Sequence, residues 1–219
     1  MIYSYTSYNC YENCPKQFYY RYIAKRLPFQ ETEQMRWGNR VHRALAQRFQ
    51  AKQPLPPGLE QFEPLCAALE RESGPTLIEQ TLLVDRYGKP APKTHAFMTT
   101  RPDFVTFDDA YTDAFICDWK TGRPREDDTE LCFQTVAIKA HYPSIRTVNA
   151  AYYWTKERRV GPVHDVVAHM NGVWDRLCAT VDLIEAQTAG GEDAFPAKPG
   201  RNFPCPWCTA TFCPFREDT

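Results

Sequence analysis

Residues 115–122 read FICDWKTG, and no other stretch constrains the fold of this chain as strongly. Phe115, Ile116 and Cys117 are apolar and favour a buried β-strand. The strand then runs into Asp118 and Lys120 before a Thr-Gly break. Side chains two residues apart on a strand share a face. An acid and a base placed this way at the end of an apolar run mark either a solvated strand end or a site. The remaining elements must cover the apolar face and supply partners for the charged one.

The flanking sequence offers such elements. Ser4 and Ser7 open a capped helix that Pro15 interrupts. Residues 33–49 repeat Gly38, His42, Leu45 and Phe49 at helical spacing, with Arg36, Arg40, Arg43 and Arg48 largely off that face. PLPPG at 54–58 predicts a loop, and 59–72 a short helix. Residues 76–84 are rich in β-formers; 97–107 and 114–119, joined by DDAYTD, predict a β-hairpin. A helix is expected over 127–141, a strand over 147–154 and a long amphipathic helix over 162–189. This order of helices and strands is an α/β pattern with a mixed sheet.

At 219 residues with 43% hydrophobic content, the chain suits one domain with a small appendage. No apolar run is long enough to cross a bilayer, and residues 1–10 carry no signal-peptide pattern. A soluble, cytoplasmic protein without a membrane partner is therefore expected. A net charge of −1 gives no global case for nucleic acid, but residues 1–52 hold nine Lys or Arg against Glu12, Glu31 and Glu33. Seven rings, from Tyr5 to Tyr22, interleave with these cations. Cations with stackable rings suit single-stranded nucleic acid, and an amphipathic helix with an aromatic inner face has the same composition.

Nine cysteines are many for an intracellular chain. Cys66, Cys117, Cys132 and Cys178 lie in apolar segments and read as core residues. Cys10, Cys14, Cys205, Cys208 and Cys213 gather at the two ends, which without a secretion signal favours metal over disulfide. The tail beyond residue 194 is Pro-rich and is expected to need a crosslink for order.

Asp103 falls on the hairpin strand that precedes Asp118, and adjacent antiparallel strands bring such side chains close together. Two close carboxylates repel unless a cation lies between them, and oxygen ligands suit Mg²⁺ or Mn²⁺. Lys120 could then orient or deprotonate a water, or offset charge building on a phosphate. A surface hairpin with an Asp–Lys ion pair is the alternative. His42, on the apolar face of its helix, is either a core histidine or a nitrogen ligand to the same cation.

A histidine in a GxxxH helix, an aspartate, Asp-x-Lys with Thr-Gly and a helical glutamine resemble the PD-(D/E)xK nuclease superfamily, closest to its RecB-like branch of CRISPR-adaptation and phage exonucleases. The matching residues are Gly38 with His42, Asp103, Asp118 with Lys120 and Thr121-Gly122, and Gln134. The opening SxxS and CPKQFYYRYI are similar to the branch's first segment. Two differences stand out: Thr100-Arg-Pro-Asp103 replaces a small glycine before the aspartate, and Ile138 stands where a tyrosine is usual.

The resemblance implies a restriction-endonuclease-like core, a mixed sheet flanked by helices, spanning residues 1–219. It implies a metal-dependent DNA exonuclease acting on single strands or ends, with an endonuclease or a non-catalytic DNA-binding module as alternatives. Asp103, Asp118, Lys120 and Gln134 would be catalytic. His42, Asp103, Asp118 and the Trp119 carbonyl would hold Mg²⁺ or Mn²⁺, and Glu79 is a weaker candidate for a second metal or a water. The cysteines are similar to those of iron–sulfur members, so Cys14, Cys205, Cys208 and Cys213 would hold a [4Fe–4S] cluster stapling 1–30 to 195–219. Four thiolates suit Zn²⁺ as well.

Overall fold

A computed structural model describes residues 1–27, 30–72, 74–124, 127–200 and 204–216. Helices α1 (Tyr5–Asn13) and α2 (Pro15–Phe18) lead into a π-helical turn at Tyr19–Ile23. Helices α3 (Glu33–Gln50) and α4 (Glu63–Glu72) precede five strands: β1 (Thr76–Ile78), β2 (Leu82–Val84), β3 (Met98–Thr100), β4 (Phe104–Phe107) and β5 (Asp113–Lys120). Helix α5 (Thr129–His141), strands β6 (Thr147–Trp154), β7 (Arg159–Val160) and β8 (His164–Asp165), and helix α6 (Val167–Ala189) follow. The chain divides into two compact units. One comprises Met1–Ile2 with Glu31–Trp174, the other Tyr3–Gln30 with Asp175–Thr219.

The larger unit is built on a mixed sheet of order β1-β4-β5-β6-β7, with β8 also paired to β6. Strands β4 and β5 are antiparallel, whereas β5 and β6 are parallel and joined through α5. A parallel neighbour requires a crossover, and α5 supplies it. Val41, Leu45 and Phe49 of α3, with Phe62, Leu65 and Cys66, pack on Phe104, Cys117, Trp119 and Tyr153 of the sheet. Trp119 is stacked on Phe49 at 6.2 Å, so the middle residue of Asp-x-Lys anchors the core while its neighbours face the other way. Every residue from Leu131 to Ile138 on α5 is buried.

Two expected strands are split, for local reasons. Residues 76–84 form β1 and β2, which belong to different sheets. Between them Glu79 has φ of 49°, a left-handed conformation that no strand sustains. Residues 97–107 break at 101–103, where Pro102 has no N–H for a ladder bond. The long helix begins at Val167, five residues later than periodicity predicts, because 164–165 pair with β6 first. Val163, within the expected helical span but before the helix begins, is 59% exposed.

In the smaller unit, α1 opens with a reciprocal capping box between Ser4 and Ser7. Cys14 is extended and ends α1, and Pro15 starts α2. Of the rings interleaved with cations in the first 22 residues, Tyr8, Tyr11, Phe18 and Tyr20 are buried. They form an inner aromatic face, not a platform for stacking bases. Phe195 is fully buried against Phe18 and Tyr19, and the Lys16 N–H donates to the Pro196 carbonyl. The start of the Pro-rich tail is thus held by apolar burial and backbone bonding as well as by anything its cysteines bind. No described helix is long and apolar enough to cross a membrane.

Candidate metal centre

Three chain segments meet at the Asp103 carboxylate. Phe104 of β4 pairs with Cys117 of β5, so Asp103, one residue earlier, extends the register toward Asp118. Asp103 Oδ2 accepts a hydrogen bond from the Trp119 N–H at 2.7 Å, and Oδ1 lies 2.9 Å from His42 Nδ1. His42 reaches this point because α3 approaches the end of β5 closely. A Cβ on Gly38, one turn earlier, would come within 3.1 Å of Thr121 Oγ1, so the glycine of GxxxH permits this close approach. Glu79 Oε1 completes the group 3.6 Å from His42 Nδ1. The left-handed backbone of Glu79, whose N–H points at the Pro102 and Asp103 carbonyls, turns its side chain to this face.

His42, Glu79 and Asp103 each offer a ligand atom within 4.8 Å of the others, the one such group among the described residues. Glu79, the weakest of the sequence candidates, belongs to this compact group; Asp118 lies beside it. Gln134 donates to Asp118 Oδ1 at 2.6 Å, and the Lys120 ammonium lies 2.6 Å from Asp118 Oδ2 as an ion pair without aligned hydrogen-bond geometry. Trp119 contributes its N–H to Asp103. Tyr142, four residues after Ile138 in sequence, packs on Phe107 and Tyr111.

Burial and charge set the protonation states. Burial, then the Asp118 charge, push Asp103 up to about 7. Burial pulls His42 down, but its bonds to Asp103 and Glu79 outweigh this and push it up to about 10. Burial raises Glu79, yet His42 and the Arg101 guanidinium, 2.8 Å from Oε2, leave it below the usual carboxylate range. Burial would lower Lys120, but the charges of Asp118 and Glu130 hold it above its ordinary value. Glu130 Oε2 lies 2.6 Å from Lys120 Nζ. Neither Glu130 nor Arg101 was singled out as a site residue in the sequence. For Glu130 the signal was its position four residues before Gln134, on the same helix face.

These residues fit a divalent cation. Asp103 and Asp118 are almost fully buried, and acids so buried require compensation. Asp118 Oδ2 and Gln134 Oε1 are buried without a hydrogen-bond partner. Carboxylate oxygens with one imidazole form a donor set for Mg²⁺ or Mn²⁺.

In the smaller unit, Cys14, Cys205, Cys208 and Cys213 line one cavity with Tyr20, Ala210 and Phe215. Cys10 does not. It donates to Gln17 Oε1 at 3.8 Å, and burial pushes its thiol up to about 12. Backbone N–H groups of Lys198 and Gly200 point at Cys14 Sγ and Cys205 Sγ, at 3.5 and 3.4 Å. Amide donors of this kind favour thiolates that ligate a cluster or metal. No three of these sulfurs lie within 4.8 Å of one another.

Residues 2–89, which include His42 and Glu79, match the family model described as the PD-(D/E)XK nuclease superfamily. No curated protein matches the chain. The match and the mixed sheet flanked by helices support assignment to that superfamily and a restriction-endonuclease-like fold. Proteins of the matched superfamily are nucleases, which act on nucleic acid and typically use divalent metals.

Proposed function

We propose that the protein is a divalent-metal-dependent DNA exonuclease of the RecB-like branch, hydrolysing phosphodiester bonds on single strands or at DNA ends. The observation that carries this reading is the convergence of His42, Glu79 and Asp103 beside the Asp118–Lys120 pair. The order of motifs from Gly38 to Gln134, similar to that of RecB-like exonucleases, supports the choice of exonuclease. Bound between His42, Asp103 and Asp118, a divalent cation would polarise the scissile phosphate and favour ionisation of water near it.

The chain's own groups do the rest. Asp103, fixed by the Trp119 N–H, and Asp118, fixed by Gln134, present carboxylates in set orientations. The charges of Asp118 and Glu130 favour the ammonium form of Lys120, which suits it to donate to an oxygen that gains negative charge as water attacks phosphorus. Hydrolysis forms one P–O bond to water and breaks the P–O bond to the leaving sugar oxygen, which takes up a proton.

For the smaller unit we propose a [4Fe–4S] cluster on Cys14, Cys205, Cys208 and Cys213. Their shared cavity and the amide donors to two of the sulfurs support four ligands at one centre. The anaerobically purified protein should be brown and contain four irons. A colourless preparation with stoichiometric zinc would reject the cluster and leave the nuclease proposal intact.

Linear end-labelled and circular single- and double-stranded DNA, incubated with Mg²⁺ or Mn²⁺, test the main proposal. Degradation of linear DNA with survival of circles is expected. Opening of circles would make the protein an endonuclease, and no cleavage of any substrate would reject nuclease activity.

A further inference from the structure

We propose that Glu130 is a positioning residue of this centre, holding the Lys120 ammonium in place while Asp118 is engaged with a cation. The inference rests on the nuclease reading above and adds a residue that it does not require. Helix α5 meets β5 through two matched contacts. Glu130 and Gln134, one helical turn apart, lie against Lys120 and Asp118, which are two residues apart on one strand face. The same helix face therefore fixes both reactive side chains of Asp-x-Lys.

Lysine needs such fixing more than most residues, because its ammonium sits on a flexible four-carbon stem. Here Nζ lies 2.6 Å from Glu130 Oε2, 2.6 Å from Asp118 Oδ2 and 5.2 Å from the Tyr152 ring centre. The contact with Glu130 is an aligned hydrogen bond; the contact with Asp118 is not. A divalent cation on Asp118 would compete for that carboxylate and repel the ammonium. Glu130 is then the anionic partner that still holds Lys120. Its place in the first turn of α5 suits a carboxylate, since the helix N-terminus favours negative charge. The Lys120 and Glu130 side chains are only 26% and 25% exposed, which shields the pair from solvent screening.

The test compares Glu130→Gln, of the same shape without charge, and Glu130→Ala with wild type in the full-length protein. Steady-state cleavage of a defined oligonucleotide with Mn²⁺ should show kcat reduced by about 10- to 100-fold in Glu130→Ala, with a smaller loss in Glu130→Gln. The oligonucleotide KM and the melting temperature should change little. In a Lys120→Ala background the Glu130 substitutions should have no further effect on kcat. Proton–nitrogen correlation spectra of the lysine ammonium groups, recorded with Mg²⁺, provide a readout without turnover. An ordered Lys120 signal should be present in wild type and lost or broadened in both variants.

An unchanged Lys120 signal together with wild-type kcat in folded Glu130→Gln would overturn the proposal. An equal loss in the presence and absence of Lys120 would overturn it too. If wild type cleaves nothing but the Lys120 signal depends on Glu130, the nuclease reading fails and the positioning contact stands.

Discussion

The backbone N–H of Trp119 donates to Asp103 Oδ2 at 2.7 Å, tying a site carboxylate to the core-facing residue of Asp-x-Lys. The bond is buried, so the orientation of Asp103 is set by the β5 backbone and not by solvent. Asp103→Asn keeps an acceptor for that N–H and should fold normally while losing tight Mn²⁺ binding. Asp103→Ala leaves the N–H unpaired and should also lose about 1–3 kcal/mol of stability. Melting curves beside calorimetric Mn²⁺ titrations separate the two effects.

His42 offsets the charges of Glu79 and Asp103 when no metal is bound. His42→Ala leaves those carboxylates facing each other, so the metal-free protein should melt lower than wild type. Added Mn²⁺ should recover part of that loss, with affinity weakened well beyond what the stability change accounts for. Wild-type Mn²⁺ affinity in this variant would show that His42 is a core histidine and not a ligand.

In the smaller unit Glu192 accepts from the Tyr20 hydroxyl and from Arg26, each at 2.9 Å. The Tyr20 bond, against burial and aided by the Arg26 charge, holds this carboxyl below its ordinary value. A depressed carboxylate contributes stability that is present above its unfolded value of about 4.3 and is lost as pH falls through the folded value. Glu192→Gln should therefore melt below wild type at pH 7, with the difference shrinking below pH 4. A gap independent of pH would show that the charge contributes nothing.

Cys10 and Cys14 are one helical turn apart, yet only Cys14 lines the cysteine cavity. Cys14→Ser should abolish the visible absorbance of the anaerobic protein, whereas Cys10→Ser should keep both colour and iron content. The opposite pattern would move the first ligand to Cys10.

Much of this was legible in the sequence because strand and helix periods fix which side chains share a face. Asp118 with Lys120, and Gly38 with His42, could be paired from spacing alone. Glu79 was harder to weigh, since its contribution depends on a left-handed kink that splits an apparently continuous strand. Glu130 reads as an ordinary acid of a first helical turn, and its bond to Lys120 arises only once α5 packs on β5. The rings of the first 22 residues carried two readings with one composition, and the structure buries Tyr8, Tyr11, Phe18 and Tyr20 while leaving Tyr5, Tyr19 and Tyr22 partly accessible. Periodicity also overran at the start of α6, where pairing with β6 takes the backbone before the helix begins.

The most direct measurement is cleavage of end-labelled DNA by wild type and by Asp118→Ala, each with Mn²⁺ and with a chelator. Wild type is expected to cleave only with metal, and folded Asp118→Ala to lose at least about 1000-fold in rate. Metal-independent cleavage, or wild-type rates in folded Asp118→Ala, would contradict the assignment of hydrolysis to this centre.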